Sequence, residues 1–162
     1  MANVWFGSDF HFGHKNIQKF RHFVSSEEQN REMILKDWTD HVTKRDVVYV
    51  LGDAAFTMDS IDAFKSLPGK KILIRGNHDL LNTSVYLKYF DEVYGLLKYK
   101  EFWLSHAPIH PDELRGKVNI HGHVHYASVN SNRYFNACVE NTRDVVGRSL
   151  ISLDEVREIQ SP

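Results

Sequence analysis

The chain has 162 residues, of which 42% are apolar and 12% aromatic, and this suits a single domain, 1–162, with its own core. Its 20 basic and 21 acidic residues give a net charge of −1, so no general field attracts the chain to nucleic acid or to an anionic membrane. Cys138 is the only cysteine, which excludes an internal disulfide, and no apolar run approaches the roughly 18 residues of a membrane span. An N-terminal secretory signal is not expected either, because Asp9 and His11 interrupt the first apolar run. We therefore expect a cytoplasmic protein that holds any polyanionic substrate locally.

The first predicted strand, at residues 3–8, leads into alternating polar and aromatic residues. In an extended backbone, side chains alternate between two faces, so Asp9 and His11 would point together while Phe10 and Phe12 pack on the other side. An Asp-x-His pair of this kind offers two ligand groups to a metal.

A helix is predicted over residues 26–42, because a serine can cap it and apolar residues recur at spacings of three and four. The next strand, 47–51, is almost continuously apolar, as expected of burial on both faces, and Asp53 follows its end. A short helix at 60–67 then leads to the apolar run 72–74. This strand-helix-strand order favours parallel pairing.

The third strand ends at a cluster of polar and titratable residues. Gly76 breaks the apolar run, and Asn77, His78 and Asp79 follow it. In an open α/β sheet, chemistry collects beyond the carboxyl ends of the strands, so this triplet favours a functional site over simple packing.

A hairpin is predicted in the second half of the chain, after a short helix at 83–90. Two strand-like runs, 93–99 and 102–104, are separated by only two residues, which indicates antiparallel pairing and a mixed sheet. His106 follows the second run.

The last predicted strands are 118–120 and 134–139. After the first of them, alternation would place His123 and His125 on one face. Residues 152–155 have the spacing of a capping box, which predicts a final short helix.

Five strand ends thus carry metal-capable side chains, and five of the ten histidines lie in them. The candidates share oxygen or imidazole donors, and they are Asp9, His11, Asp53, Asn77, His78, His106, His123 and His125. Such a set, without a thiolate, favours Mn²⁺, Fe²⁺ or Zn²⁺. So many dispersed groups are too many for one metal but fit two ions, which in phosphoryl-transfer sites lie about 3.5–4 Å apart.

These strand ends resemble, in order and character, the five motifs of the calcineurin-like metallophosphoesterases. The motifs are Asp9-x-His11, Gly52-Asp53, Gly76-Asn77-His78-Asp79, His106 and Gly122-His123-x-His125. The resemblance, closest to compact stand-alone members from bacteria and phages, implies an α/β fold: an α-β-β-α sandwich of two mixed sheets flanked by helices. It also implies two divalent ions, expected to be Mn²⁺, with Fe²⁺, Zn²⁺ or Ni²⁺ as alternatives.

The same resemblance assigns the ligands. It implies that the first metal is held by Asp9, His11, Asp53 and His125. It implies that the second is held by Asp53, Asn77, His106 and His123. Asp53 would then bridge the ions, since a carboxylate can offer one oxygen to each.

The charge of such a site predicts the chemistry. Two dications lower the pKa of a water held between them from about 15.7 to neutrality or below, which makes a hydroxide for in-line attack on phosphorus. His78, not itself assigned to a metal, can protonate the leaving oxygen, and Asp79 can orient its imidazole. A purely structural His78 is the alternative.

Departures from particular branches of the family narrow the substrate. Phe56 stands three residues after Asp53, so the tyrosinate ligand of purple acid phosphatases is absent, and the Asp-Arg-Gly continuation of Ser/Thr protein phosphatases is missing too. We therefore expect a small phosphate ester, a phosphodiester or phosphomonoester in a nucleotide or at a nucleic-acid end.

Two functions of another class stay open. The first is a catalytically silent scaffold of the same fold that binds a protein partner, although such a loss of activity should appear as missing ligands. The second is a nucleic-acid-binding domain, disfavoured by the net charge, using Lys70, Lys71, Arg75, Lys98 and Lys100. The sequence leaves open the natural substrate, the oligomeric state and the roles of His14, Lys15 and His110.

Overall fold

Two packed β-sheets form the centre of the computed structural model, which describes residues 1–161. The strands are β1 (Val4–Gly7), β2 (Val47–Val50), β3 (Lys70–Ile74), β4 (Glu92–Tyr94), β5 (Leu96–Tyr99), β6 (Phe102–Ser105), β7 (Val118–His121), β8 (Tyr134–Asn136) and β9 (Ile151–Ser152). The helices are α1 (Glu27–His41), α2 (Met58–Ile61), α3 (Thr83–Tyr86), α4 (Val139–Val146) and α5 (Leu153–Gln160), and short 3₁₀ helices lie at Ile17–Lys19, Asp62–Ser66 and Pro111–Glu113.

Both sheets are mixed. The first has the order β4-β3-β2-β1-β9, parallel except for β9, and the second has the order β5-β6-β7-β8, parallel except for β5. The α/β sandwich of two mixed sheets flanked by helices that the sequence predicts is therefore confirmed. Because the parallel strands run the same way, their carboxyl ends meet along one edge.

The first sheet is buried on both faces. From β2, Val48 and Val50 pack with Trp38 of α1 on one side, while Tyr49 packs with Phe102 of β6 on the other. This burial explains why β2 is an almost unbroken apolar run. Within residues 1–161, no helix has the length and apolar character needed to cross a membrane.

The structure corrects two element predictions. The run predicted as one strand, 93–99, is divided at Gly95: β4 pairs with β3 in the first sheet, and β5 pairs with β6 in the second. The strand predicted at 134–139 ends at Asn136, and Val139 begins α4. An apolar run does not specify which sheet it joins, and a short one fits either a strand or a buried helix turn.

Helix boundaries differ less. The helix predicted at 60–67 begins earlier, at Met58, because Thr57 and Ser60 form a capping box, and it continues as 3₁₀ helix. The helix predicted at 83–90 is α-helical only for Thr83–Tyr86. The capping box at Ser152 is confirmed at the start of α5.

Candidate metal centre

Five of the candidate ligands have a left-handed backbone, with φ between 51° and 72°. They are Asp9, His11, Asp53, His123 and His125. Among the described non-glycine residues, only Lys100 and Arg115, both in turns, share this conformation. The backbone is therefore not extended at these positions, and the strand alternation assumed from the sequence is wrong. Such residues store roughly 1–3 kcal/mol of strain each, and strain of this kind clusters at functional sites.

Hydrogen bonds between the first two loops hold this conformation. The amide N–H of Asp9 donates to Gly52 O (3.0 Å), and the amide N–H of His11 donates to Asp53 O (3.0 Å). Phe10 and Phe12 still turn into the core, as expected. These bonds join the two loops, and their ligand side chains converge as a result.

Four donor atoms define the first ligand cluster. Asp9 Oδ1 lies 3.4 Å from His11 Nε2 and 3.5 Å from His125 Nε2, and Asp53 Oδ2 lies 3.6 Å from His11 Nε2. Asp9 is fully buried and His11 nearly so. The donor atoms of Asp9, His11 and His125 lie within 4.8 Å of one another, close enough to contact one ion, and Asp53 Oδ2 adjoins this group at His11.

Four donor atoms also define the second ligand cluster. Asn77 Oδ1 lies 2.8 Å from His106 Nε2 and 3.1 Å from His123 Nδ1, and these two nitrogens are 3.2 Å apart. Asp53 Oδ2 lies 3.5 Å from His106 Nε2 and thus belongs to both clusters. Because the neutral His106 ring donates through Nδ1 to Leu51 O, its Nε2 and Asn77 Oδ1 present facing lone pairs, which a cation between them would relieve.

The histidine tautomers fit metal binding. His106 Nδ1–H donates to Leu51 O (2.8 Å), and His125 Nδ1–H donates to the carboxylate of Glu140 (2.9 Å). In a neutral ring, each bond leaves the Nε2 lone pair directed into its cluster. Hydrogen bonds to the second nitrogen are the usual way in which proteins orient metal-binding histidines.

The charges in the site favour ionised carboxylates. Burial raises the pKa of Asp9, but the hydrogen bond from His11 and the charge of His106 outweigh it and hold that pKa well below its usual value. The pKa of Asp53 is likewise lowered, because the His11 hydrogen bond and His106 overcome the effect of burial. Burial raises the pKa of the Cys138 thiol well above its usual value, so this group stays neutral and donates to Asp9 Oδ2 (3.3 Å).

Two glycines allow the loops to approach the ligands this closely. A Cβ at Gly76 would collide with the Asp53 carboxylate, and a Cβ at Gly122 would collide with the Asp9 carboxylate and with Ser8. Any side chain at these positions would displace a ligand.

Sequence reasoning missed a buried network behind the first ligand cluster. Arg21, fully buried, donates from Nε and Nη2 to Glu140 Oε1 (3.1 and 2.9 Å) and from Nη2 to Asp9 O (2.5 Å). Its Nη1 donates to Asn30 of α1 (2.7 Å), and Glu140 lies on the unpredicted helix α4. Burial raises the pKa of Glu140, but His125 and Arg21 lower it overall. No local pattern indicates this ion pair, because its residues lie 119 positions apart.

His78 lies beside the clusters and Asp79 lies beneath them. The His78 ring is exposed, with its centroid 5.9 Å from that of His11 and 5.0 Å from that of Phe56, while its amide N–H donates to Asp53 Oδ1 (2.9 Å). The buried Asp79 carboxylate instead accepts from the amides of Asp53 (2.8 Å), Ala54 (3.1 Å) and Gly76 (2.7 Å).

This placement corrects the expected contact between Asp79 and the His78 imidazole. Both Asp79 oxygens are occupied by backbone amides, and no hydrogen bond within residues 1–161 joins Asp79 to that ring. Asp79 therefore ties the loop of Asp53 to the loop of Asn77.

The residues whose roles the sequence left open lie in different places. The His14 ring centroid is 5.9 Å from that of His11, and Lys15 next to it is exposed. His110 Nδ1 accepts from Asp112 N (3.2 Å) and so caps the 3₁₀ helix Pro111–Glu113.

Comparisons with known proteins agree with this geometry. Residues 2–157 match the family model of the calcineurin-like phosphoesterases. The chain is 30% identical to the Gene 66 protein of Mycobacterium phage L5, over 98% of this chain and 94% of that protein. Its fold is similar to the crystal structure of AQ665 from Aquifex aeolicus, with a TM-score of 0.79 and 28% identity over 98% of this chain and 100% of that one. A structure described as a novel archaeal phosphodiesterase shares the fold, with a TM-score of 0.56 and 17% identity over 95% of each chain.

Proposed function

The chain belongs to the calcineurin-like phosphoesterase family of metal-dependent hydrolases, and on this premise we propose that it cleaves phosphodiester or phosphomonoester bonds in nucleotides or at nucleic-acid ends. One observation carries the proposal: Asp53 Oδ2 lies between the two ligand clusters, 3.6 Å from His11 Nε2 and 3.5 Å from His106 Nε2. A carboxylate that contacts donors of both clusters in this way fits a two-ion centre.

The donor atoms would divide between two ions. Asp9, His11 and His125 would hold the first, Asn77, His106 and His123 would hold the second, and Asp53 would contact both. Bound divalent ions would supply positive charge for the phosphoryl oxygens and a water of lowered pKa. The oxygen and imidazole donors suit Mn²⁺, with Fe²⁺, Zn²⁺ or Ni²⁺ as alternatives. The preference for Mn²⁺ and the cytoplasmic location stay predictions.

His78 is the proposed proton donor to the leaving oxygen. Its ring is exposed beside the first ligand cluster, and its backbone is fixed by the bond from its N–H to Asp53 Oδ1. A positioned acid of this kind contributes roughly 10²- to 10⁴-fold to the rate. Asp79 supports this step indirectly, since it holds the loops that carry Asp53 and Asn77.

The two alternatives receive less support. A silent scaffold is expected to lack metal ligands, whereas the expected ligands here converge into two clusters. Basic residues of the nucleic-acid alternative are engaged within the fold: Lys70 pairs with Glu92, Lys71 Nζ donates to Leu67 O (2.8 Å), and Arg75 Nε donates to Asp79 O (2.9 Å).

Hydrolysis of methyl 4-nitrophenyl phosphate tests the proposal. We expect metal-free protein to be inactive and added Mn²⁺ to restore activity. A panel that pairs each phosphomonoester with its diester, including cyclic nucleotides and oligonucleotides, then identifies the substrate class. Activity that persists in excess chelator, or no activity on any ester with each of the four metals, would contradict the proposal.

A further inference from the structure

A cavity of about 310 Å³ opens beside the first ligand cluster, and the proposed chemistry does not use it. It is lined by His11, His14, Ile17, Phe20, His125 and Tyr126. Two of these residues are metal-ligand candidates, so a group in the cavity would lie next to a phosphate held at the ions. The volume is at the lower end of the range for small-molecule sites, about 300–1,000 Å³.

Two exposed aromatic rings form its walls. Phe20 is 62% exposed and Tyr126 is 56% exposed, although aromatic rings of this size usually bury most of their surface. Scattered exposed apolar residues need no explanation, but these two share one cavity at the edge of the candidate site.

Hydrogen bonds and stacking fix the backbone of Phe20 and the ring of Tyr126. The Phe20 N–H donates to Ile17 O (3.0 Å) at the end of the 3₁₀ helix. The Tyr126 ring stacks on His22, with 5.7 Å between centroids and 24° between planes, and its hydroxyl accepts from the His22 N–H (3.2 Å). The Tyr126 wall is therefore preorganised for a flat ligand.

One wall also carries a polar group. The amide N–H of Asn16 donates to His14 Nδ1 (3.2 Å), so the neutral ring carries its proton on Nε2. The His14 ring lies edge-on to Phe20 (5.6 Å) and to Phe56 (5.0 Å). Flat apolar walls with a single hydrogen-bond donor suit a planar heteroaromatic group.

We propose that this cavity binds the nucleobase of the substrate, stacked on Phe20 and Tyr126, while the phosphate of the same molecule lies at the metal centre. The proposal rests on the proposed function and narrows its substrate class to nucleotide esters. Stacking on an aromatic side chain contributes roughly tenfold or more in affinity and accepts every base, because each base has a π face. With His14 as the polar wall group, we expect purines and pyrimidines both to bind.

A second cavity, of about 520 Å³, shares His125 and Tyr126 with the first and is the rival location. Its lining includes Phe23, Glu140, Arg143 and Asp144. Arg143 lies over the Phe23 ring (5.5 Å) and pairs with an acidic side chain of α1 (3.0 Å). This charged lining suits a hydrated polar group better than a base. Because Tyr126 borders both cavities, substitutions at Phe20 and Phe23 separate them.

The test measures binding by titration calorimetry to the Mn²⁺-loaded protein. The ligands are the 5′-phosphonate analogues of AMP and of ribose 5-phosphate, which contain no hydrolysable ester and differ at C1′, where the first carries the base and the second a hydroxyl. We expect the AMP analogue to bind about tenfold more tightly. Phe20→Leu, which keeps apolar bulk but removes the flat ring, should abolish that preference.

Two variants serve as controls. Phe23→Leu, in the rival cavity, should keep the preference. Leu87→Ala removes an exposed apolar side chain in another part of the chain and should also have no effect. Equal affinity for the two ligands in the unaltered chain, or no binding of either, would overturn the proposal. A preference abolished by Phe23→Leu and kept by Phe20→Leu would also overturn it.

Hydrolysis of methyl 4-nitrophenyl phosphate, which has no base, separates this proposal from the proposed function. Hydrolysis of that ester together with equal binding of the two analogues would support the phosphoesterase function and contradict the base site. A clear preference for the AMP analogue without hydrolysis of any ester would support the base site and contradict the proposed function.

Discussion

The two ligand clusters differ in what surrounds them. In the first, Asp9 and His11 are buried, and the Arg21–Glu140 pair supports both the Asp9 backbone and the His125 ring. In the second cluster, His106 and the shared Asp53 are buried, whereas Asn77 and His123 are exposed. The second cluster therefore faces solvent.

This difference predicts that the two clusters bind their ions with different affinities. Ligands held by a buried charge network are already arranged for an ion, so little conformational entropy is lost when it binds. Exposed ligands such as Asn77 and His123 lose more conformational entropy when an ion binds, but they leave room for substrate. We expect the first cluster to bind its ion more tightly and the second ion to exchange more readily.

Asp53→Asn should have the largest effect, because Asp53 Oδ2 is the atom that the clusters share. We expect diester hydrolysis to fall by more than the roughly 10⁴-fold that a general acid can contribute, because both ions are weakened. Initial rates at one sub-saturating Mn²⁺ concentration, the same for every variant, measure the loss. If the loss were smaller than that of His11→Asn or His123→Asn, Asp53 would not connect the clusters.

His78→Asn should affect chemistry without affecting either cluster. We expect both ions to be retained and the rate to fall about 10²- to 10⁴-fold for an alkoxide leaving group, with little loss for nitrophenolate, which departs without a proton. Rates across a series of leaving groups, with metal content measured in parallel, check this. A uniform loss would indicate stabilisation of the phosphoryl oxygens instead, and loss of metal would exclude both roles.

Glu140→Gln should affect the first cluster alone. The first ion should bind about 10- to 100-fold more weakly, as is typical when a residue that orients a metal ligand is changed. Since the change leaves Arg21 buried without its partner, the free energy of unfolding should also fall, by about 3–5 kcal/mol. Mn²⁺ titration calorimetry and denaturant unfolding measure the two effects. Equal weakening of both ions would contradict the proposed difference between the clusters.

Asp46→Asn provides a control outside both clusters and should have the smallest effect on activity. Asp46 accepts from the amides of Asn3 and Thr43 (2.8 Å each) and from the Trp5 indole N–H (3.2 Å). Burial raises its pKa, but these hydrogen bonds lower it overall. A lowered folded-state pKa stabilises the protein above the unfolded value, and this stabilisation is lost as the pH falls through the folded-state pKa.

The asparagine variant should therefore bind two ions normally and be less stable at neutral pH. Its difference from the unaltered chain should shrink below about pH 4, where the unfolded carboxyl is protonated. Unfolding curves at several pH values measure this difference. A constant difference from pH 7 to pH 3 would show that ionisation of Asp46 contributes nothing to stability.

The sequence predicted the positions of the ligands better than their geometry. Strand ends of a parallel sheet meet at one edge, so the polar residues after β1, β2 and β3 could be placed together without a structure. The left-handed backbone of Asp9 and His123 could not be predicted, because it depends on bonds between loops distant in sequence. Asp and His adopt positive φ more often than most residues, but local propensity does not fix that conformation at a given position.

The roles of the residues that the sequence did not reveal could not be predicted for the same reason. Glu140 and Arg21 are single charged residues, and their role is visible only once both are found buried, with Glu140 between Arg21 and His125. Asp79 was expected to orient the imidazole of its neighbour His78. Instead it accepts hydrogen bonds from three backbone amides, which belong to two loops brought together by the fold. Tertiary contacts, which a single sequence does not display, decide both cases.

The number of ions per chain tests the central claim most directly. Equilibrium dialysis against Mn²⁺, followed by elemental analysis, should give about two ions for the unaltered chain. In Asp53→Asn, the same measurement should give less than one ion, because the oxygen between the two clusters no longer carries charge. A single ion in the unaltered chain, or two ions retained in Asp53→Asn, would contradict a two-ion centre built around Asp53.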